Sequence, residues 1–113
     1  MTKFLISFPA SAMNVPSDEM AAVSESSRAV IREAKAAGVY VFGGGLDASI
    51  PAALVRHDGA TSTGTYPQTK DLDGGFCILE LPSHQEATRW AAKLAQACRC
   101  AQELRAFLYD PES

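Results

Sequence analysis

The sequence predicts a single α+β domain in which two helices pack on one face of an antiparallel sheet. Three observations lead to this fold class. The 113 residues suffice for one hydrophobic core. Hydrophobic residues make up 47% of the chain and charged residues 20%, which is typical of a globular domain. Segments with the two-residue period of strands alternate with segments of helical period. Residues 1–113 are therefore expected to form one domain.

The N-terminal half carries the signals of a strand, a helix and a second strand. Residues 3–8 alternate between two sides, as a strand does. Ser17 is expected to cap a helix that follows Pro16, and Gly38 is expected to end this helix in the left-handed conformation. Residues 39–42 form the predicted second strand, and the three glycines that follow are expected to end it.

The C-terminal half predicts a hairpin and then a second strand, helix and strand. Asp58-Gly59 is a strong hairpin signal between residues 52–56 and 60–63. Residues 75–81 predict a strand, and the S-x-x-E sequence that begins at Ser83 is a capping box for a helix. Residues 103–109 predict the last strand. Two β-α-β units joined by an inserted hairpin give the ferredoxin-like arrangement, βαββαβ.

The sheet face turned away from the helices is predicted to be apolar. Phe76 and Ile78 point to one side of their strand, while the residues that alternate with them are apolar as well. Leu5 and Phe107 repeat this pattern on neighbouring strands. Because soluble monomers rarely expose several hundred Å² of contiguous apolar surface, the sequence predicts a homodimer in which two sheets face each other.

Charge and composition argue against several functions. A formal net charge of -3 provides no basic field for nucleic acid or anionic lipid. Cys98 and Cys100 are too close for an unstrained disulfide or a usual zinc ligand pair, which predicts reduced thiols in a cytoplasmic protein. His57 and His84 have no second ligand at a recognisable spacing, so neither a metal nor a cofactor is expected. The apolar run at residues 4–8 is too short for a signal peptide, and no segment has the ~18 apolar residues of a membrane span.

The polar, glycine-rich segment before the 75–81 strand is the main candidate site. Its side chains are expected to project hydrogen-bond donors into a cleft, and its glycines are expected to let the backbone approach a ligand. In this interpretation Lys70 holds a carboxylate or phosphate, and Tyr66 gives or takes a proton. The alternative is a crossover loop whose glycines serve turns and whose lysine is solvated. The candidate ligand-binding residues are Thr63, Gly64, Thr69, Gly74 and Gly75.

The turn at residues 43–47 is the predicted second wall of this cleft. Gly43 and Gly45 are expected to contact the ligand, but a phosphate-binding loop is disfavoured because Pro51 prevents a helix from following. A bulge or a tight backbone approach is the favoured interpretation of these glycines. Asp47 is a candidate acid or base, and its alternative is a solvated loop residue.

Three basic residues recur along the first predicted helix, namely Arg28, Arg32 and Lys35. Glu25 and Glu33 are interspersed among them. A solvated helix face is the predicted role of this stripe.

Four stretches resemble YCII-related proteins of the DGPF type, named for the string D-G-P-F-A-E-T-K-E. They are MTKFLISF, AAGVYVFGGGL, TGTYPQTKDLDGGFCILEL and ATRWAAKL. The resemblance extends over residues 3–109. Gly64, Thr69 and Lys70 are identical to the string. The replacements include Thr63 for its Asp, Thr65 for its Pro, Pro67 for its Ala and Gln68 for its Glu.

The resemblance implies a dimeric α+β barrel with a cleft used for small-molecule chemistry such as isomerisation, decarboxylation or lyase reactions. Related YCII proteins use a His and Asp pair as acid and base, but this chain has no histidine before His57, so the pair does not transfer. The replaced acidic residues also remove a carboxylate base from the loop.

The resulting expectation is an acid/base enzyme, isomerase- or lyase-like, that acts on a small anionic metabolite. The alternative is a non-catalytic ligand-binding or regulatory protein, because proteins resembling the DGPF type are linked to sigma factors in transcription initiation. An RNA recognition module, which shares the strand and helix order, is disfavoured. Its third strand needs a basic residue and two stacking aromatics, where this chain has Gly74, Phe76 and Ile78.

Overall fold

The computed structural model describes residues 1–113 and contains six strands and two α-helices. The elements are β1 (Thr2–Phe8), α1 (Met20–Ala36), β2 (Tyr40–Gly45), β3 (Ala53–Val55), β4 (Thr61–Thr63), β5 (Gly75–Leu81), α2 (His84–Cys98) and β6 (Glu103–Ala106). Four strands form one sheet in the order β2-β5-β1-β6, and all of its pairings are antiparallel. This order is that of the ferredoxin-like fold, with β3 and β4 as an inserted hairpin, so the predicted fold class is confirmed.

The core lies between one face of this sheet and the two helices. Ile6, Leu79 and Leu81 are almost completely buried on this face. Each such side chain stabilises the fold by about 1.5–3 kcal/mol relative to an exposed one. The helices contribute small and branched side chains, which let them approach the sheet closely: Val30, Ala34, Ala87, Ala91 and Leu94.

The start of α2 agrees with the capping prediction. The Ser83 hydroxyl accepts a hydrogen bond from the Glu86 N–H at 3.1 Å, so the helix begins where the capping box indicated. It ends at Cys98, and the next residue, Arg99, has a φ of 58° in the left-handed region. The Arg99 guanidinium also binds the Glu19 carboxylate at 2.6 Å, which connects the end of α2 to the start of α1.

The start of α1 differs from the prediction. Ser17 does not cap the helix, because the Pro16 carbonyl accepts the Glu19 N–H at 2.9 Å and closes a tight 3-10 turn first. The α-helix then begins at Met20 without a side-chain cap. Its predicted end is confirmed, since Gly38 has a φ of 75°.

The glycines at residues 43–45 continue β2, so the prediction that they end the strand is wrong. They pair with residues 75–77 of β5, and the register shifts between Tyr40 and Phe42 just before them. The close backbone approach was correctly predicted: a Cβ on Gly43 would lie 3.3 Å from the Phe76 carbonyl oxygen. Backbone pairing thus extends the strand where no side chains are present.

β6 ends earlier than predicted. It stops at Ala106, and Leu108 beyond it is 92% exposed. The Phe107 N–H still donates to the Lys3 carbonyl at 2.9 Å, which keeps the chain beside β1 for one more residue.

The sheet face opposite the helices carries apolar side chains on β1, β2 and β5, as expected from the alternation. On β6 the same face carries Glu103 and Arg105, which lie opposite Ser7 and Leu5. Leu5 and Phe42 flank Ile78 in the strand register, and Phe42 is 62% exposed. Phe76 lies on the same face and is opposite Ser7. We call these residues, Leu5, Phe42, Phe76 and Ile78, the open face.

The inserted hairpin lies within a long excursion between β2 and β5, and we call residues 46–73 the arm. Strands β3 and β4 pair with each other and form their own two-stranded sheet. The predicted turn is present, since Gly59 has a φ of 91° and its N–H donates to the Arg56 carbonyl. No helix in the structure has the length and apolar character that a bilayer crossing requires.

Candidate functional site

A cavity of about 640 Å³ lies between α1, α2 and the sheet, at the end where β1 finishes and β5 begins. This volume is within the usual range of small-molecule pockets, roughly 300–1,000 Å³. Ile6, Leu94 and Cys98 form an apolar lining on the core side. Three glycines of β2 and Gly75 line the sheet side, where bare backbone leaves room for a ligand.

Three cations of α1 line the same cavity. Arg28, Arg32 and Lys35 follow one another at i, i+4 and i+7, so the helix presents them on one side. The Arg32 guanidinium binds the Glu25 carboxylate, and the Lys35 Nζ lies 5.1 Å from the centre of the Tyr40 ring. Arg28 forms no ion pair.

The remaining polar groups of the lining are neutral. They are the side chains of Ser24, Ser27, Tyr40, Gln102, Cys77 and Cys98, and no lining residue is Asp, Glu or His. An apolar pocket with cations and neutral donors suits an anion attached to an apolar body. The three cations are exposed to water, where dissolved ions screen their charges. An anion should therefore bind to them more weakly as the salt concentration rises.

The structure brings some of the predicted site residues to the cavity and leaves others outside it. Gly43, Gly45 and Gly75 are part of its lining. Gly74 is next to Gly75, and its carbonyl accepts the Leu46 N–H at 2.9 Å. The other predicted residues lie on the arm and are not part of the lining: Asp47, Thr63, Gly64, Tyr66, Thr69 and Lys70.

On the arm, Tyr66 and Lys70 flank a short 3-10 turn, Pro67–Thr69. The Tyr66 carbonyl accepts hydrogen bonds from the hydroxyls of Thr65 and Thr69, which fixes the backbone of this turn. Tyr66 is 66% exposed, and Lys70 forms no ion pair. Gly64 has a φ of 127°, a conformation that favours glycine.

Asp47 is fully exposed beside the strand end. Its carboxylate accepts hydrogen bonds from the Ser49 hydroxyl at 2.6 Å and from the Ser49 N–H at 2.9 Å. These bonds lower the pKa of the Asp47 carboxyl below its ordinary value. The group therefore stays ionised near neutral pH, which suits charge stabilisation better than proton donation.

The cations of α1 are the site residues that the sequence interpretation missed. It treated them as a solvated face, whereas they are exposed and also line the cavity. Glu25 was correctly noted beside them, but Glu33 binds Lys93 of α2 at 3.2 Å instead of these cations. The sequence signal for these cations was their spacing, four and then three residues, which places them on one side of a helix.

Two of the three free thiols line the cavity. Burial and, to a smaller extent, the nearby Cys98 thiol raise the pKa of the Cys77 thiol to about 11. Burial also raises the pKa of Cys98, with Cys100 as the second cause. Both cavity thiols therefore stay protonated at neutral pH, and neither is an activated nucleophile.

We expect alkylation with iodoacetamide at pH 8 to modify the three cysteines unequally. A pKa near 11 leaves roughly 0.1% of Cys77 as thiolate, so Cys77 should react roughly 100-fold more slowly than an ordinary exposed thiol. Cys100, which is partly exposed, should be modified first. Peptide mass spectrometry over time measures the order, and a Cys77 that reacts as fast as Cys100 would contradict the buried position.

Comparisons with known proteins agree with this architecture. A family model of the YCII-related domain matches residues 3–103. A solved structure with a similar fold is 5-chloro-2-hydroxyhydroquinone dehydrochlorinase (TftG) from Burkholderia phenoliruptrix AC1100, in complex with 2,5-dihydroxybenzoquinone. It aligns over 97% of both chains with a TM-score of 0.51 and 18% sequence identity. A search of curated proteins found no match.

Proposed function

The chain belongs to the YCII-related domain family, and on this premise we propose that it is an acid/base enzyme, isomerase- or lyase-like. Its substrate is a small anionic metabolite that binds in the cavity beside α1. The observation that carries the proposal is the pairing of three cations with an apolar lining and bare glycine backbone in one cavity. Arg28 has no partner within the chain, so its guanidinium is free to bind a carboxylate, phosphate or phenolate oxygen.

The dehydrochlorinase supports the lyase-like class. Removal of the elements of hydrogen chloride takes a proton from one atom and an anion from another, which is general acid/base chemistry. The molecule bound in that structure is a small hydroxylated ring. A phenolic or enolic anion of similar size fits the volume and the charge of the cavity described here.

Tyr66, Lys70 and Asp47 remain the proposed catalytic groups. The cavity lining has no carboxylate or imidazole, and we propose that groups of the arm move the proton. Lys70 and Tyr66 lie on the arm, which leaves the sheet beside the cavity at Gly45 and returns at Gly74. Thr63, Gly64 and Thr69 then act as the ligand-binding part of the arm.

A ligand screen and two sets of variants test this function. The probes are 2,5-dihydroxybenzoquinone, benzoate and inorganic phosphate, each tested for an increase in melting temperature, because a ligand of the native state stabilises it by mass action. For the probe that binds, Arg28→Ala should weaken affinity about 10- to 100-fold, the size of a lost charged hydrogen bond. Arg89→Ala, a surface arginine of α2, is the matched control and should change affinity less than twofold.

Turnover is tested separately from binding. Lys70→Ala and Tyr66→Phe should each reduce turnover at least 100-fold if they move the proton, the usual scale for general acid/base groups. If Arg28→Ala leaves affinity unchanged for every probe, the cavity is not the ligand site. If both arm variants keep full turnover, the catalytic assignment is wrong.

The lack of Asp, Glu and His in the lining favours one alternative, a protein that binds the ligand without turning it over. In that case the chain senses a metabolite, and the DGPF-type resemblance suggests a sigma factor as its partner. Ligand affinity that depends on Arg28, without turnover of any bound probe, would support this role. Capture of a sigma factor by the purified chain would support the proposed partner.

We also propose that the protein is a cytoplasmic homodimer in which two open faces pack together. Leu5, Ile78 and Phe42 form one row across the strands, so the apolar surface is contiguous. The free thiols suit a reducing compartment.

A further inference from the structure

We propose that the arm, residues 46–73, clasps a second copy of this chain and packs its apolar side chains against the partner. The inference extends the proposed homodimer from the open face to the arm, and it does not depend on the proposed catalysis. Tyr66 and Lys70 thereby lie at the boundary between the two subunits.

The arm has little packing within its own chain. Strands β3 and β4 have three residues each, contact each other, and pack closely on no other strand or helix. A two-stranded hairpin alone is marginally stable in water. This hairpin needs a surface to cover it, and the rest of its own chain does not provide one.

Five apolar side chains of the arm are exposed to solvent. Ile50 is 69% exposed and Val55 is 65% exposed, and Leu46, Tyr66 and Leu72 are exposed as well. Isolated exposed apolar residues are common, but five within 28 residues concentrate apolar surface on one element. Such surface is typical of an element that becomes buried on association.

The accessible surface area of the chain indicates how much surface a partner would cover. Its accessible surface is 7758 Å², whereas a folded monomer of 12.0 kDa exposes about 6,000 Å². The radius of gyration is 15.5 Å, against about 13 Å for a compact domain of this length. The excess, about 1,800 Å², matches one partner's share of a large obligate interface.

The open face alone does not account for this excess. Four strands about 4.8 Å apart and about 20 Å long give a projected face of about 400 Å². Other exposed apolar side chains contribute to it, and they include those of the arm and Phe107, Leu108 and Tyr109 near the C-terminus. A partner that covers both the open face and the arm would bury the largest group of these side chains.

A second copy is the partner that satisfies both surfaces at once. In a twofold dimer the same patch is used by both subunits, so an arm and an open face on each chain are buried together. The base of the arm is fixed, because the Leu46 N–H binds the Gly74 carbonyl and the Asp73 carboxylate accepts the Ala10 N–H, both at 2.9 Å. A fixed base orients the arm for a defined partner.

The charge of the arm opposes a nucleic-acid partner. Two basic residues, Arg56 and Lys70, stand against four acidic ones, which gives a net charge of -2 with His57 neutral. The acidic residues are Asp47, Asp58, Asp71 and Asp73. A phosphate backbone would be repelled by this surface, whereas an apolar protein surface would not.

Site-specific photocrosslinking of the whole protein tests the proposal. Benzoylphenylalanine in place of Val55 should form covalent dimers on irradiation, at least tenfold more than the same group in place of Gln96, which is exposed on α2. Mixing isotope-labelled with unlabelled protein before irradiation should give cross-linked peptides that join one labelled chain to one unlabelled chain.

A second variant measures the energy of the contact. The double substitution Ile50→Asp and Val55→Asp should raise the dimer dissociation constant at least tenfold in sedimentation equilibrium and leave the circular dichroism of the sheet and helices unchanged. A dimer in which Val55 cross-links only to its own chain overturns the arm contact but not the homodimer. A chain that sediments as a monomer overturns both, and neither result bears on turnover or on the ligand.

Discussion

Replacing Ile78 by aspartate is expected to convert the homodimer into a monomer. Ile78 lies in β5, between Leu5 and Phe42 on the open face, and in the proposed dimer it is at the centre of the interface. An unpaired carboxylate there would lose its hydration without gaining a partner, which costs several kcal/mol. The dimer dissociation constant should therefore rise about 1,000-fold, since about 4 kcal/mol corresponds to three powers of ten.

Sedimentation velocity over a range of protein concentrations measures this change. Gln96→Asp adds the same charge to the exposed side of α2, at the opposite layer of the fold, and should leave the dimer intact. Because the strand register places Ile78 opposite Leu5, on the face away from the helices, the monomeric variant should keep its circular dichroism spectrum. An Ile78→Asp protein that stays dimeric at the wild-type concentration would show that the open face is not the interface.

Gly74→Ala should be the most destabilising substitution among the glycines. A Cβ at this position would lie 2.1 Å from the Phe8 carbonyl oxygen and 2.7 Å from the Ala10 nitrogen. Both are backbone atoms, so they cannot rotate away as a side chain would. The chain would have to shift where β5, the end of β1 and the base of the arm meet, and we expect a loss of about 3 kcal/mol or more in the free energy of unfolding.

Urea denaturation followed by circular dichroism measures this loss. Gly44→Ala is the matched control, because a Cβ at Gly44 would have no heavy atom within 4 Å and the substitution adds the same methyl group. It should change stability by less than about 1 kcal/mol. If the two variants were equally stable, the close approach of Gly74 to Phe8 would be refuted.

Much of the fold could be predicted from the periodicity of particular segments. The alternation of residues 3–8 and the apolar run of residues 75–81 predicted β1 and β5, and the capping box fixed the start of α2 at His84. The wrong predictions concern two places where backbone hydrogen bonds, and not the local residue preferences, decide the structure. β2 continues through its glycines because β5 offers hydrogen-bond partners, and Ser17 loses its capping role to a turn closed by the Pro16 carbonyl.

The candidate site could be predicted only in part. Gly43, Gly45 and Gly75 were expected near a ligand, and they line the cavity. The spacing of Arg28, Arg32 and Lys35 places them on one side of α1, but the sequence does not say what that side faces. The position of α1 against the bare backbone of β2 is a tertiary property, set by distant core contacts.

Strand β5 separates the cavity from the proposed subunit interface by the thickness of one peptide chain. Cys77 lines the pocket on one side, and Ile78, its neighbour, faces outward on the other. Any metabolite that changes the association constant of the subunits must therefore have its own affinity changed by the same factor when they associate, because linked equilibria are reciprocal. Measuring the affinity for the ligand at two protein concentrations, one that favours the monomer and one that favours the dimer, would quantify this coupling.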